Sequence, residues 1–525
     1  MSKTYRTLVR GKLRQLTALC VGGAANDPGG ADLQCAKDGK GRLTIPGSGQ
    51  AGALIETAGR IFPSLFDERI KKDANTPGNV DEWFNRITSK QTKLKARSDS
   101  DETVRQSLWQ FSPSHLDIAT PEMRQGVGIR QATGATASEA KALFDVETIP
   151  AGAVWDFFFE IDALRGGDKV EAVAMFALWE WTQGRCWLGA NAARGLGNMK
   201  LEGFEILRLP ADKKAIEAWP DVTRDRNDPQ FWDALKTLAG SEVITDNETL
   251  RKKAELLWHD QLPIERFWYA AIDATFAAGK DPDGYGWDTL SVGGHAAGLL
   301  EPSKEELVVP TGVDAVKFRE VHTPDCPVVM TQSVAGKRPF VPGSGVRGPL
   351  RHATSRIHNT ATVKVRDPNT IEARLAKDGD PVSQLFGLAL RSGRLLVGDA
   401  GLEGDAFRLV CLQHHAEDEF TAGVYGSGKF DRTAVLEGKF RVRLVIEAAT
   451  NVELLKHLET LRSALTLAEL GFVALGGGKW RGHGWLKWTF DTVAVGQAGS
   501  NLEAMSGDKV AAKLNAAMAK IGGGA

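Results

Sequence analysis

The chain has 525 residues, 42% of them hydrophobic and 25% charged, with a formal net charge of −1. That length predicts roughly two to four domains, and the composition is that of a soluble globular protein. The near-neutral balance excludes a whole-protein field for a polyanion, so any RNA site must be a local basic stripe. No run of about 20 apolar residues exists, which excludes a membrane-spanning helix. The five scattered cysteines contain no C-x-x-C pair, which argues against a zinc ribbon or disulfide framework and fits a reducing cytoplasm.

In chain order, MSKTYRTLVRGKLRQL alternates like a strand over Thr4–Leu13 and lacks the apolar region of a secretory signal. The Gly, Asn, Asp and Pro from Val21 to Ala31 make a loop. A PGSG turn and a helix to about Phe62 follow. Asp81 to Gln110 is polar and helix-prone, with Lys90, Lys93, Lys95 and Arg97 close together. Two polar arms around Thr133-Gly134 predict a protruding hairpin that returns to a buried strand at Val154–Ile161. A helix, the loop Arg194-Gly195-Leu196-Gly197 and a last strand close this first unit, residues 1–209. Residues 210–262 predict a helical connector, with helices over Gln230–Leu238 and Thr249–Trp258.

A second unit, residues 263–500, repeats the order. It has a Gly-rich segment (Ser291 to Gly294), a long loop to Pro327, a PGSG turn with its helix and a polar arm. The strand KFRVRLVIEA, a helix over Asn451–Glu469 and Arg481-Gly482-His483-Gly484 then follow. Residues 501–525 predict an Ala-rich amphipathic helix and tail. The repeat is plainest in RLTIPGSGQAGALIETAGR, from Arg42, and RPFVPGSGVRGPLRHATSR, from Arg338. The turn prolines Pro46 and Pro342 and the late arginines Arg194 and Arg481 recur at nearly constant separation, which marks a tandem duplication.

Glycines at a strand-to-helix turn let a ligand approach the backbone, and the helix N–H groups then face it as a phosphate site. Both copies also satisfy G-x-G-x-x-G, through Gly47, Gly49 and Gly52 and through Gly343, Gly345 and Gly348. That keeps open a dinucleotide-dependent oxidoreductase, although a proline directly before the first glycine suits a Rossmann strand poorly.

The Gly-rich first loop, an Asp before the turn, the I/V-P-G-S turn with its helix and the late G-x-G loop together resemble the RAMP superfamily. Its members include the backbone subunits of type III CRISPR effector complexes, and two units in one chain are similar to the tandem fusions of the type III-D branch. The resemblance implies an α+β fold of two ferredoxin-like, modified RRM domains, each laying guide RNA across one sheet face with the arm as a thumb hairpin. RNA contacts would come from Gly47, Ser48, Gly49, Gln50 and Arg194 in the first unit. Gly343, Ser344, Gly345, Arg347, Arg351 and Arg481 would serve in the second. Where the second unit has Arg347 the first has Ala51, beside Gln50, so its hold on phosphate would lean on backbone N–H groups.

In target-cutting members an Asp of the first loop cuts the bound RNA, and the matching residues are Asp32 and Asp325. Asp325 stands three residues further from its turn proline than Asp32 does, and Asp27 and Asp38 are fallbacks. A ribose 2′-hydroxyl that attacks its own phosphate in line needs orientation above all. A carboxylate can take its proton or bind a divalent cation, Mg2+ or Mn2+. His322 lies near Asp325, but no histidine precedes His115, so a mechanism shared by both units favours Asp. The expected partners are CRISPR guide RNA, complementary single-stranded target RNA, other RAMP subunits and the large signalling subunit. A non-catalytic scaffold of the same fold and a guide-processing endonuclease are the rival readings within the family. The tryptophans Trp179, Trp181, Trp187, Trp480, Trp485 and Trp488 read as core rather than as base-stacking platforms.

Overall fold

The computed structural model describes residues 4–23, 31–66, 107–116, 120–128, 143–214, 217, 229–238, 240–279, 289–293, 326–333, 336–362, 380–387, 392–417, 421 and 423–523. Its first unit runs β1 (Thr4–Gln15), β2 (Leu43–Ile45), α1 (Gly47–Ile61), β3 (Trp109–Phe111), β4 (Ser114–Leu116), β5 (Glu122–Val127), β6 (Leu143–Thr148), β7 (Val154–Ile161), α2 (Ala163–Thr182) and β8 (Asn198–Pro210). The sheet order β8–β1–β7–β3, antiparallel throughout, is ferredoxin-like. β1 takes the centre because it buries Leu8, Val9 and Leu13 between two partners. The buried Glu171 of α2 is matched there by the Thr7 hydroxyl and by Arg208 Nε at 2.7 Å, as a buried carboxylate requires. β5 and β6 pair as the base of the expected arm, whose tip at Thr133-Gly134 lies outside the described residues.

The connector's two helices are present as α3 (Pro229–Lys236) and α4 (Asn247–Trp258). Between them lies β9 (Glu242–Ile244), which the sequence reading did not include. It pairs with β8, Val243 opposite Leu207, so this stretch extends the first unit's sheet. The polar stretch Asp81 to Gln110 lies outside the described residues up to 106, and its last two residues open β3.

The second unit runs β10 (Trp268–Ala278), β11 (Met330–Ser333), β12 (Gly336–Val341), α5 (Gly343–Thr362), α6 (Pro381–Phe386), β13 (Leu395–Val397), β14 (Ala400–Leu402), β15 (Arg408–Glu417), β16 (Val424–Ala448), α7 (Asn451–Glu469) and β17 (Trp488–Gln497). Its central order, β17–β10–β16–β14, repeats the first unit's. β16 serves first as one side of the arm and then as a core strand. α7 opens on a reciprocal cap in which Thr450 accepts from Glu453 N and Glu453 accepts from Ala449 N. The tail helix α8 (Val510–Gly522) docks Val510, Leu514, Ala517 and Ile521 into the second core.

The two units are packed together. Arg60 of α1 meets Glu447 of β16 at 3.0 Å in a mostly buried pair. Glu180 of α2, paired with Arg185, accepts from Gly499 N at 2.6 Å. Tyr269, Val445 and Ala498 of the second unit complete the first unit's core.

Candidate nucleic-acid interface

Both PGSG turns run directly into helices, as the repeat predicts. In α1 the cap residue is Pro46 and no side chain caps the first turn, and Ser48 and Gly49 are exposed. A Cβ at Gly47 would stand 2.6 Å from Phe111 O, so the close approach of the turn to β3 demands glycine. Gln50 corrects the sequence reading. It is fully buried, and its NH2 donates to Ile45 O, Ser112 O and Ser114 Oγ at 3.0–3.2 Å, so it braces the turn and cannot reach RNA.

Gly343 is a second correction. Its N–H donates to Asp399 Oδ1 at 2.8 Å. Its missing Cβ would meet Val397 O at 2.4 Å, Arg194 O at 2.7 Å and Gly195 Cα at 2.8 Å. The position is therefore occupied by the first unit's late loop and leaves no room for phosphate. Ser344, one residue on, is exposed. The late loop of one unit thus sits on the turn of the other, which sequence could not show because the two motifs belong to different repeats.

This contact assembles a line of cations. Burial, and then Arg351 and Arg194, lower the pKa of Arg347 to about 10. The Arg347 guanidinium leans on Phe386 and donates to its carbonyl, while its Nε has no hydrogen-bond partner among the described residues. Arg351 is likewise lowered, chiefly by burial, with Asp380 opposing. His352 is lowered by burial and then by Lys479 and Arg351. Arg194 and Arg351 thus act on Arg347, and Arg351 and Lys479 act on His352, from the first unit's late loop to the second's. The lowering of Arg347 by two other arginines marks positive charge short of counter-charge at that residue.

The late loops share local features. Gly197 and Gly484 both have positive φ, and a Cβ there would overlap Leu188 O at 1.8 Å or Leu475 O at 1.9 Å. Arg194 lies over the Phe144 ring at 5.1 Å and Arg481 over the Phe430 ring at 5.2 Å. Trp480 beside it is 82% exposed, whereas Trp179, Trp181 and Trp488 are core.

The loops bearing the candidate acids also correspond. Leu33 bridges Val146 in parallel, with Glu147 N donating to Leu33 O at 2.8 Å. Cys326 bridges Arg432 in parallel, with Thr433 N donating to Cys326 O at 3.0 Å. In sequence the residue before each bridge is Asp, Asp32 before Leu33 and Asp325 before Cys326; Asp325 itself lies outside the described residues. Asp32 is exposed, and its Oδ2 accepts from Asp145 N at 3.0 Å. Asp38 is a turn former, with Arg42 N, Arg42 Nε and Lys40 N all donating to it. Against the cost of burial those bonds hold its carboxyl at about 2. Asp27 and His322 lie outside the described residues.

The first loop has no histidine of its own, but one from β4 approaches it. β4 pairs with β2, Thr44 opposite His115, and brings Nδ1 to 3.6 Å from Asp38 Oδ2. Among the described residues no three His, Cys, Asp or Glu side chains gather as metal ligands.

A model of the RAMP superfamily matches residues 12–200 and 326–487, one stretch in each unit and more than half of the chain. The chain belongs to the RAMP superfamily. No curated protein matches it. RAMP membership makes it a CRISPR-associated RNA-binding subunit that assembles with other Cas subunits. The antiparallel sheets overturn the dinucleotide reading of the glycines, because a Rossmann site needs a parallel sheet and its βαβ crossover. Among the described helices none is long and apolar enough to cross a membrane.

Proposed function

We propose that this RAMP chain is a tandem, type III-D-like backbone subunit that holds CRISPR guide RNA and cuts the paired target RNA at two sites, one per unit. The observation that carries this reading is the set of cations Arg194, Arg347, Arg351 and Lys479, gathered around His352 on a chain of net charge −1. Positive side chains gathered at the cost of mutual repulsion fit a polyanion, whose phosphates supply the missing charge. Ser48, Gly49 and Ser344 would add contacts at the turns, with Arg481 at the second late loop.

The exposed Asp32 carboxylate would take the proton of a target 2′-hydroxyl, and Asp325 stands in the corresponding place. The arms would splay the nucleotide so that the 2′-oxygen lies in line with its phosphate. A divalent cation fits the donor set at Asp32, whose exposed carboxylate uses only Oδ2 in a hydrogen bond among the described residues, since Mg2+ is commonly held by one or two carboxylates together with substrate phosphates. Bound there, Mg2+ or Mn2+ would offset charge developing on the phosphate.

The scaffold reading is favoured by one observation, the bond from Asp145 N to Asp32, which a turn former would also make. Incubation of the complex, assembled with guide RNA, the signalling subunit and Mg2+, with paired or unpaired target separates the two. The nuclease reading requires two cuts confined to the paired strand; intact target with guide still bound leaves the scaffold.

A further inference from the structure

The two units differ beneath the loops that carry Asp32 and Asp325. In the first, Ala18, Cys20, Val146 and Leu196 form a small apolar cluster with Leu33 and Phe144 packed against it. The corresponding residues of the second unit follow from the shared hydrogen bonds. Leu19 bridges Ile149 as Leu290 bridges Val435. Gly197 N donates to Ala18 O as Gly484 N donates to Thr289 O. Ala190 N donates to Cys20 O as Gly477 N donates to Ser291 O. The apolar set Ala18, Cys20, Val146 and Leu196 therefore becomes Thr289, Ser291, Arg432 and His483. Gly126, opposite Phe144 in the arm, becomes His414, opposite Phe430.

These replacements make two polar pairs with a histidine ring against one of them and Arg432 close enough to act on its charge. Arg432 Nη1 donates to Ser291 Oγ at 3.0 Å. Thr289 Oγ1 and His483 Nδ1 share a hydrogen bond. The His414 ring stands perpendicular to the His483 ring at 5.7 Å. Arg432 Nε and His414 Nε2 are buried atoms with no hydrogen-bond partner among the described residues. A buried donor and a buried ring nitrogen without partners are each costly unless a ligand completes them. In the first unit a Cβ at Gly126 would meet the Phe144 ring at 2.0–2.5 Å, so a histidine has no place there.

We propose that the second unit holds an acid–base site for RNA that the first lacks, in which neutral His414 takes the proton of a ribose 2′-hydroxyl and Arg432 holds the adjoining phosphate. This rests on the nuclease reading above and assigns its proton chemistry in one unit. The 2′-oxygen bonds to phosphorus, its proton passes to His414 Nε2, and the bond from phosphorus to the 5′-oxygen breaks. The 5′-oxygen takes a proton from water, leaving a 2′,3′-cyclic phosphate and a 5′-hydroxyl, and His414 returns its proton to water. The charged and titratable groups facing His414 are Arg481 and His483 on the late loop and Arg432 and Asp431 on β16. Burial and then the two arginines, opposed by Asp431, lower its pKa and keep it neutral at pH 7.

The test uses the complex reconstituted with guide RNA and end-labelled target, each cut being timed separately in wild type, His414→Gln and His414→Ala. Both variants are expected to slow the second unit's cut about 100-fold or more, with the first cut within about twofold, which also shows that the variant is folded and bound. The second cut of the wild type should lose rate as pH falls through the depressed titration of His414, an acid limb missing from His414→Gln. Equal rates in His414→Gln and wild type, or equal loss of both cuts, overturn the acid–base site. No cut by the wild type overturns the nuclease reading itself, and a wild type that makes only one cut, abolished in Asp32→Asn, overturns activity in the second unit.

Discussion

Arg124, at the base of the first unit's arm, holds Asp399 of the second unit at 2.8 Å, and the same carboxylate accepts the N–H that opens α5. Both side chains are about nine-tenths buried, and Arg124 also covers the Phe340 ring. The turn that faces RNA in one unit is thus positioned by the other. Removing one partner of a buried pair leaves an uncompensated charge, at a cost of about 3 kcal/mol. Arg124→Ala and Asp399→Ala should each lower stability in denaturant by about that amount. The double variant should cost less than their sum, since the two share one interaction.

Gly343 and Gly348 occupy one helix with opposite constraints. A Cβ at Gly343 meets three backbone atoms that cannot yield, whereas at Gly348 it meets open space. Gly343→Ala should cost about 1–3 kcal/mol by forcing the junction apart, and should weaken guide binding. Gly348→Ala should instead stabilise by about 0.5–1 kcal/mol through helix propensity. Paired melting curves and guide titrations check both.

The basic line predicts a salt signature. Arg194→Ala and Arg351→Ala should each weaken guide RNA similarly for every guide sequence and reduce the slope of log affinity against log salt by about one. Gln50→Ala removes no phosphate contact. It should leave that slope unchanged while lowering stability, because Ile45 O and Ser112 O lose a donor. Filter binding at several salt concentrations separates the two outcomes.

Glu453 gives a pH dependence with a definite sign. His457, then Ala449 N and Arg394, hold its carboxyl at about 2 against an ordinary value of 4.5, with burial opposing. A depressed folded-state pKa contributes stability that is complete above the unfolded value and is lost as pH falls. The melting-temperature advantage of wild type over Glu453→Gln should therefore be full above about pH 4.5 and shrink toward pH 2.

The sequence made much of this legible because the unit is written twice. Two PGSG turns and two Gly-rich late loops fixed the register, and periodicity placed Val154–Ile161 and Asn451–Glu469 where they are observed. β9 was missed because three residues carry no period, and it exists only by pairing with β8. Gly343, Arg194 and Asp399 meet through packing between units, for which a linear motif holds no information. His414 and His483 lie far apart in sequence and become neighbours only when the arm and the late loop close on each other. Gln50 read as surface because it follows a glycine turn, yet its amide satisfies two backbone carbonyls that the tight turn would otherwise leave unpaired.

The central claim is that each unit cuts target RNA through its own loop aspartate. The most direct measurement is cut mapping on end-labelled, guide-paired target with Mg2+, comparing wild-type complex with Asp32→Asn, Asp32→Ala and Asp325→Ala. Asparagine at 32 keeps an oxygen for Asp145 N and removes only the charge. The account predicts that both Asp32 variants lose one cut and Asp325→Ala loses the other. Unchanged cuts in all three variants would contradict it and leave both aspartates as loop formers.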